Sequence, residues 1–301
     1  MTDMDLVQLA ERFQSEEKCR HYLAGLRWPA GVRCLKCGMD RVYTVHTRGR
    51  YECGEKTCRH QFSVTAGTIF HDSHLPLWKW MLTAYLMCES KKSMSALRIQ
   101  RTIKVSYKTA WYLCHRIRAA MKDASADLLN GTVEVDETSV GGKVRGKGRG
   151  YRGNKAMVLA AVQRGGAVRF AVEKHADRPT LHGFIRKHTA PETARIMTDE
   201  WAAYAGIGDS DTTHETVNHS ADEWVRGDVR TNTVEGVFSL FKRSIIGAHH
   251  RLSVKHLPAY LDEQAFRFNN RKNPYLFRDT ILKLIEAKAV PFRALVAPTD
   301  A

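Results

Sequence analysis

Four of the seven cysteines of this chain stand in two close pairs near the N-terminus, and their spacing limits what this segment can fold into. Cys34, Cys37, Cys53 and Cys58 form the pattern C-x2-C-x15-C-x4-C. Four thiolates in two such pairs complete the closed tetrahedral shell of a structural Zn²⁺. The metal then supplies folding free energy that a short segment cannot obtain from apolar burial. The pattern predicts a zinc ribbon over residues 31–70.

Other residues of the segment refine this prediction. Gly38 and Gly54 each follow a cysteine of a pair, at a position where a positive φ is often needed. His60 stands two residues after Cys58 and is an alternative fourth ligand, although four thiolates need no rearrangement of the chain. The remaining cysteines have apolar neighbours on helical patterns and are expected in the core: Cys19, Cys88 and Cys114.

The charge balance of the chain points to a polyanionic partner. Its 301 residues contain 47 Lys and Arg against 32 Asp and Glu, which gives a net charge of +15. Such an excess suits the neutralisation of several phosphates along a nucleic acid. No stretch approaches the roughly 20 apolar residues of a membrane helix, and the N-terminus is acidic and amphipathic. We therefore expect a cytoplasmic protein without a membrane partner.

Helical patterns precede and follow the cysteine segment. Residues 1–30 are predicted to form an N-terminal helical segment, because apolar positions recur at near-helical spacing. Residues 75–125 show two helical stretches, a short turn and a third helix, which is the outline of a helix-turn-helix unit. Ser106 is placed to cap the third helix, and Lys108 and Arg116 on that helix are predicted to contact DNA.

From residue 131 the pattern changes to strands with interposed helices, which indicates a mixed α/β domain. Asp136 and Asp199 each end an apolar strand, and Glu235 begins a helix on which Lys242 follows two turns later. Carboxylates that converge outside a sheet hold hard divalent cations. Two such ions about 3.5–4 Å apart can activate a water or a 3′-hydroxyl at a phosphodiester. These residues are the predicted catalytic set, with Lys242 on a DNA phosphate.

Asn232 lies one helical turn before Glu235 and competes with it for the third position, because an amide oxygen also ligates Mg²⁺. A glycine-rich basic loop separates the first two acids. Basic side chains there and beside Lys242 are predicted to bind DNA: Lys143, Arg145, Lys147, Arg149 and Arg243.

The combined motifs resemble a known family. The cysteine pattern is followed by FSVTAGTIFHDSHLPLWKW, VEVDETSVGGK, TDEWAAY and TNTVEGVFSLFKR, and this order is similar to that of the insertion-sequence transposases of the fifteen-ninety-five family, the ISXO-two-like group. The resemblance covers roughly residues 15–275. It implies an N-terminal zinc ribbon and a DDE catalytic domain with a ribonuclease-H-like, integrase-type fold over 131–275, followed by a C-terminal helix and tail over 276–301.

The resemblance also implies a chemistry. Asp136 and Asp199 match the first two acids of the DDE triad, and the third is assigned as Asn or Glu in different members, so Asn232 and Glu235 both stay open. The implied reaction uses Mg²⁺ or Mn²⁺ to nick the terminal inverted repeats of the transposon, after which the freed 3′-hydroxyl attacks target DNA. Assembly of two ends implies a homodimer or higher oligomer on DNA.

Two other functions are compatible with the same motifs. A zinc-ribbon and helix-turn-helix regulator without catalytic activity, including an inactive transposase relic, would bind DNA independently of Mg²⁺ and leave it intact. A simple nuclease on the same fold would cleave DNA without joining ends. Three acidic side chains in the predicted catalytic set favour the transposase.

Overall fold

A computed structural model describes residues 4–123, 127–141, 155–191, 193, 195–210, 212–218 and 221–297. The chain forms two compact units, Met1–Met121 with Asn273–Ala301, and Lys122–Lys272. The helices after residue 273 therefore belong to the same unit as the N-terminal half of the chain. No helix in the described ranges is both long and apolar enough to cross a membrane.

The first unit combines a small sheet with a group of helices. Its elements are α1 (Leu6–Arg12), α2 (Glu16–Arg27), β1 (Val42–Val45), β2 (Arg50–Cys53), β3 (Gln61–Phe62), α3 (Leu77–Glu89), α4 (Ala96–Ile103), α5 (Tyr107–Met121), α9 (Leu276–Glu286) and α10 (Phe292–Val296). The three strands pair antiparallel in the order β1-β2-β3.

The N-terminal segment forms two helices where the sequence predicted one. Ser15 causes the interruption, because its hydroxyl accepts a hydrogen bond from the backbone N–H of Lys18 and starts α2 as a new helix. The helix-turn-helix outline is confirmed in α4 and α5. Lys104 adopts a left-handed conformation after α4, and the Ser106 hydroxyl accepts from the Thr109 amide at 3.1 Å.

The second unit is a five-stranded sheet with helices on both faces. Its elements are β4 (Thr132–Val140), β5 (Ala156–Gln163), β6 (Val168–Glu173), α6 (Arg178–His188), β7 (Arg195–Asp199), β8 (Thr213–Val217), α7 (Asn232–Ser244) and α8 (Leu257–Asn269). The strand order is β6-β5-β4-β7-β8, with β4, β5 and β6 antiparallel and β7 and β8 parallel to β4. This mixed α/β arrangement is the predicted ribonuclease-H-like fold.

Alternation along β4 divides its side chains between two cores. Val133 and Val135 pack in a core with α6, which includes Leu181 and Phe184. The opposite face of the sheet packs against apolar side chains of α7 and α8. Glu134 and Asp136 therefore point to the α7 face, because successive strand residues point to opposite faces.

Asp136 does not end its strand, contrary to the prediction. The strand β4 continues to Val140 because its pairing with β5 extends that far, whereas its parallel pairing with β7 covers only 132–134. Asp136 lies just past the point where β4 and β7 part. Asp199 ends β7 as predicted. Both carboxylates can thus reach the same opening in the sheet.

Asp262 on α8 gives the second unit a pH-dependent stability. Burial raises the pKa of this carboxyl to about 6, although the charge of Lys122 opposes the shift. An unfolded Asp ionises near 3.9, so between about pH 4 and 6 the folded state binds more protons, and stability falls as pH rises.

Asp262→Asn is expected to remove the contribution of this carboxyl to the slope and to increase the free energy of unfolding at pH 7.5 by about 1–2 kcal/mol. Urea titrations of both proteins at pH 4.5 and pH 7.5 provide the measurement. Equal pH dependence in the variant and the wild type would contradict the assignment.

Candidate functional site

The four predicted zinc ligands are gathered at one point of the ribbon. The Sγ atoms of Cys34 and Cys58 lie 3.8 Å apart and those of Cys37 and Cys53 lie 3.5 Å apart. Thiolates bound at about 2.3 Å around one tetrahedral zinc ion stand about 3.8 Å from each other. The cysteines therefore fit a structural Zn²⁺ without rearrangement. His60 is not part of this cluster in the described chain, and its ring stacks on Phe62 instead.

The two glycines of the ribbon serve different purposes. Gly38 has a φ of +75°, as predicted for a residue that follows a cysteine pair. Gly54 is not in the positive-φ region, so that part of the prediction is wrong. A Cβ atom at Gly54 would lie 3.0 Å from the backbone oxygen of Arg41, so this position needs glycine for close approach of the strands.

Three carboxylates meet in the second unit where β4 and β7 part. Asp136, Glu137 and Asp199 each offer one oxygen, and these oxygens all lie within 4.8 Å of one another. Backbone donors orient two of the side chains: Asp136 Oδ1 accepts from the Glu137 amide at 2.8 Å, and Asp199 Oδ1 accepts from the Trp201 amide at 3.1 Å. Grouped carboxylate oxygens are the donor set that Mg²⁺ and Mn²⁺ prefer.

The charges around Asp136 identify its neighbours. The pKa of Asp136 is raised to about 6, chiefly by burial and also by the negative charges of Asp199 and Glu235, against the lowering effects of the Glu137 amide and Lys242. The charges of Glu235 and Lys242 on α7 therefore reach Asp136, as the charge of Asp199 does. Like charges held this close favour a cation between them.

Glu137 is an acidic group of the cluster that the sequence did not identify. Its pKa is raised to about 7, chiefly by burial and also by the charges of Asp136 and Asp199, although a hydrogen bond from the Tyr204 hydroxyl opposes the shift. The buried Tyr204 lies in the core on the α6 side of the sheet. Successive strand residues point to opposite faces of the sheet, so alternation alone would place Glu137 away from Asp136. The one sequence signal for Glu137 is that it directly follows Asp136 after an apolar run.

The two contenders for the third position differ in their surroundings. Asn232 is the first residue of α7 and is exposed. Glu235 is half-buried in the first turn, where its Oε1 accepts from the Thr231 hydroxyl at 3.1 Å. Glu235 lies outside the group of three carboxylates within 4.8 Å, but its charge reaches Asp136.

Several predicted DNA contacts lie on accessible surface. Lys242 and Arg243 are exposed on α7, and Lys108 is exposed on α5 with its Nζ 4.5 Å from the ring centroid of Phe292. The predicted contacts of the glycine-rich loop lie outside the described residues: Lys143, Arg145, Lys147 and Arg149.

Arg116 is buried, which corrects the prediction that it contacts DNA. It is 4% exposed, and its Nη2 donates to the backbone oxygens of Ile69 and His71. Its guanidinium also stacks near the rings of Trp80 and Tyr112, at 4.9 and 5.2 Å from their centroids. Arg116 therefore stabilises the first unit and is not available to a phosphate.

Arg116→Met is expected to lower the free energy of unfolding by about 2–4 kcal/mol, because two buried carbonyl groups lose their donor. Lys108→Met on the same helix removes an equal charge from the surface and is expected to change stability by about 0.5 kcal/mol or less. Denaturant titration distinguishes the two. Equal stability of both variants would contradict the structural role of Arg116.

Sequence comparisons define the class of this protein. A transposase zinc-ribbon domain model matches residues 14–61, and an ISXO2-like transposase domain model matches residues 128–269. A protein of transposable element ISH50 from Halobacterium salinarum is 31% identical over 268 residues, covering 83% of this chain and 89% of that protein. The chain thus carries the zinc-ribbon and DDE-type domains of a transposase family. It belongs to the ISXO2-like transposase family.

Solved structures align with low TM-scores. The HTLV-2 integrase catalytic core domain in complex with magnesium gives 0.27 at 15% identity, over 46% of this chain and 84% of that one. The Mos1 strand transfer complex gives 0.31 at 14% identity, over 69% and 75%. The family assignment rests on the sequence matches.

Proposed function

We propose that this transposase cleaves DNA at the ends of an insertion sequence and joins the freed ends to target DNA, in a reaction that requires Mg²⁺ or Mn²⁺. The observation that carries the proposal is the carboxylate cluster of Asp136, Glu137 and Asp199 within a matched transposase domain. A surface of grouped acids repels DNA unless cations neutralise it, whereas the chain as a whole is strongly basic. The cluster therefore binds cations, and these allow a DNA substrate to approach the acids.

Asp136 and Asp199 would hold the metal, with Glu235 as the third acid. Bound divalent ions activate the attacking oxygen and stabilise the leaving oxygen of a phosphodiester. Glu235 is favoured over Asn232 because it is half-buried and its charge acts on Asp136, whereas Asn232 is exposed. Lys242, on the same helix, would bind a phosphate of the strand that is cut.

The first step hydrolyses one phosphodiester bond, and the second exchanges one phosphodiester bond for another. In the first, water attacks phosphorus at the transposon end, the P–O3′ bond breaks, and the products are a 3′-hydroxyl and a 5′-phosphate. In the second, that 3′-hydroxyl attacks a target phosphodiester and displaces a target 3′-oxygen. No energy source is consumed in joining, because the number of phosphodiester bonds is conserved.

Other parts of the chain would bind the DNA. The zinc ribbon and the helix-turn-helix unit would recognise the terminal inverted repeats, with Lys108, Lys242, Arg243 and the basic glycine-rich loop on phosphates. Simultaneous capture of two ends favours a homodimer or higher oligomer on DNA.

A labelled duplex that carries the element's own ends tests this proposal when incubated with the protein, target plasmid and Mg²⁺. We expect nicks at the ends and joined products, both lost when EDTA replaces Mg²⁺. Binding without cleavage at any metal concentration would overturn the proposal in favour of a regulator or an inactive relic. Cleavage without joined product would leave a nuclease.

A further inference from the structure

Glu134 is a fully buried acidic residue on β4, two positions before Asp136 and on the same face of the sheet. A buried carboxylate is costly unless donors surround it. Here Oε1 accepts from Arg164 Nε at 2.7 Å and from the Thr233 hydroxyl at 2.9 Å. Oε2 accepts from the amides of Thr233 at 2.7 Å and Val234 at 3.1 Å. Both oxygens are thus fully used.

Three of these four donors belong to the first turn of α7, and two of them are backbone amides. The first amides of a helix have no partner within the helix, and the residue before it normally supplies a side-chain acceptor. Thr231 occupies that position, but its side chain accepts no capping hydrogen bond, and its hydroxyl donates to Glu235. The strand residue Glu134 therefore caps α7, and its negative charge suits the positive end of the helix dipole.

Arg164 connects the same carboxylate to the segment that precedes α7. Its Nη1 donates to Asp228 Oδ1 at 2.8 Å and its Nη2 to the backbone oxygen of Arg230 at 3.0 Å. Arg195 on β7 donates to the other oxygen of Asp228 at 2.7 Å. Hydrogen bonds from β4, from β7 and from Arg164 directly after β5 therefore fix both the first turn of α7 and the segment before it at Asp228 and Arg230.

We propose that Glu134 is a positioning residue that sets where Glu235 stands relative to Asp136. This inference rests on the proposed role of Glu235 as the third acid. One strand carries both Asp136 and the carboxylate that binds residues 233 and 234, directly before Glu235. The contact between β4 and α7 thereby fixes the distance between Asp136 and Glu235. Partners that orient metal ligands are worth about 10–100-fold in metal affinity.

Mn²⁺ binding to the purified full-length protein without DNA tests this inference, measured from the electron paramagnetic resonance signal of free Mn²⁺. Glu134→Gln keeps the size of the side chain but places an amide against donor groups. We expect its Mn²⁺ affinity to fall about 10–100-fold and hydrogen exchange to accelerate at the first turn of α7. Circular dichroism establishes that the variant is folded.

The matched control is Glu263→Gln on α8. Glu263 is 1% exposed and pairs with Arg267 of its own helix at 3.5 Å, so the same substitution again disturbs a buried Glu–Arg pair. We expect its Mn²⁺ affinity and the exchange of α7 to match the wild type. Thr233→Val provides a milder second variant if Glu134→Gln does not fold. It removes one donor to Glu134, and we expect a smaller loss of affinity in the same direction.

If folded Glu134→Gln binds Mn²⁺ as tightly as the wild type, the positioning role is overturned. If Glu134→Gln does not fold, the same result in Thr233→Val overturns it. An equal loss in Glu263→Gln would do the same. Glu235→Gln, measured alongside, separates this outcome from failure of the proposed site. If Glu235→Gln binds Mn²⁺ weakly and Glu134→Gln binds it like the wild type, Glu235 remains a metal ligand and only the positioning role of Glu134 is refuted. Unchanged binding by Glu235→Gln removes the third ligand and this inference with it.

Discussion

Asp199→Asn is expected to reduce DNA cleavage about 10³-fold or more while DNA binding stays close to that of the wild type. Asp199 is one of three carboxylates whose oxygens lie within 4.8 Å of one another, and an amide is a much poorer ligand for a hard cation. Metal stabilisation of the reaction is worth several kcal/mol, and each 1.36 kcal/mol is a factor of ten in rate. The measurement is single-turnover nicking of the end duplex in Mg²⁺.

Asp222→Asn is the matched control, because it makes the same substitution at an exposed position of the second unit and changes the net charge equally. We expect it to cleave like the wild type. Asp199→Asn also removes one of the charges that raise the pKa of Asp136, so without metal we expect it to unfold at a higher temperature. Cleavage by Asp199→Asn at the wild-type rate would refute the metal assignment.

Cys53→Ser is expected to release zinc and unfold the ribbon while the helices of the first unit stay folded. Cys53 is fully buried, and its Sγ is 3.5 Å from that of Cys37. The apolar cluster around the ligands has three buried members in the part of the chain that the structure describes, Phe62 and the ligands Cys34 and Cys53 themselves. Structural zinc contributes about 10–16 kcal/mol to such folds, so the remaining contacts do not replace it. Elemental analysis and limited proteolysis across residues 31–66 measure the two effects.

Cys88→Ser controls for the loss of a buried thiol. Cys88 lies on α3, and its Sγ is 3.1 Å from the Thr280 hydroxyl, away from the ribbon. We expect this variant to keep one zinc per chain and to resist protease across the ribbon. Full zinc content in Cys53→Ser would disprove the four-cysteine site.

Local patterns were sufficient for the parts of the fold that depend on local chemistry. Cysteine spacing indicated the ligand cluster, because two close pairs of cysteines supply the four thiolates of one tetrahedral zinc site. Apolar periodicity indicated the helix-turn-helix unit and the strands of the second unit. It missed the interruption at Ser15, because a hydroxyl that caps a new helix does not disturb the apolar pattern on either side.

Long-range contacts decided what these patterns could not. Arg116 is a basic residue on a predicted DNA-binding helix, so the sequence favours a DNA contact. In the structure it donates instead to the backbone oxygens of Ile69 and His71 in the core. Asp136 ends an apolar run, but whether its strand continues depends on the partner strand β5, which begins at Ala156. Sequence periodicity describes one element at a time and contains no information about such partners.

The sequence by itself indicated the four-cysteine cluster and the pairing of Asp136 with Asp199 as grouped acids, because each follows from residue type and spacing along the chain. Its combined motifs indicated the family. Tertiary structure alone added Glu137 to the cluster and gave α7 its cap from Glu134. The reason is physical: a carboxylate on one strand meets an acid on another strand, or the amides of a distant helix, only after the sheet has brought them together.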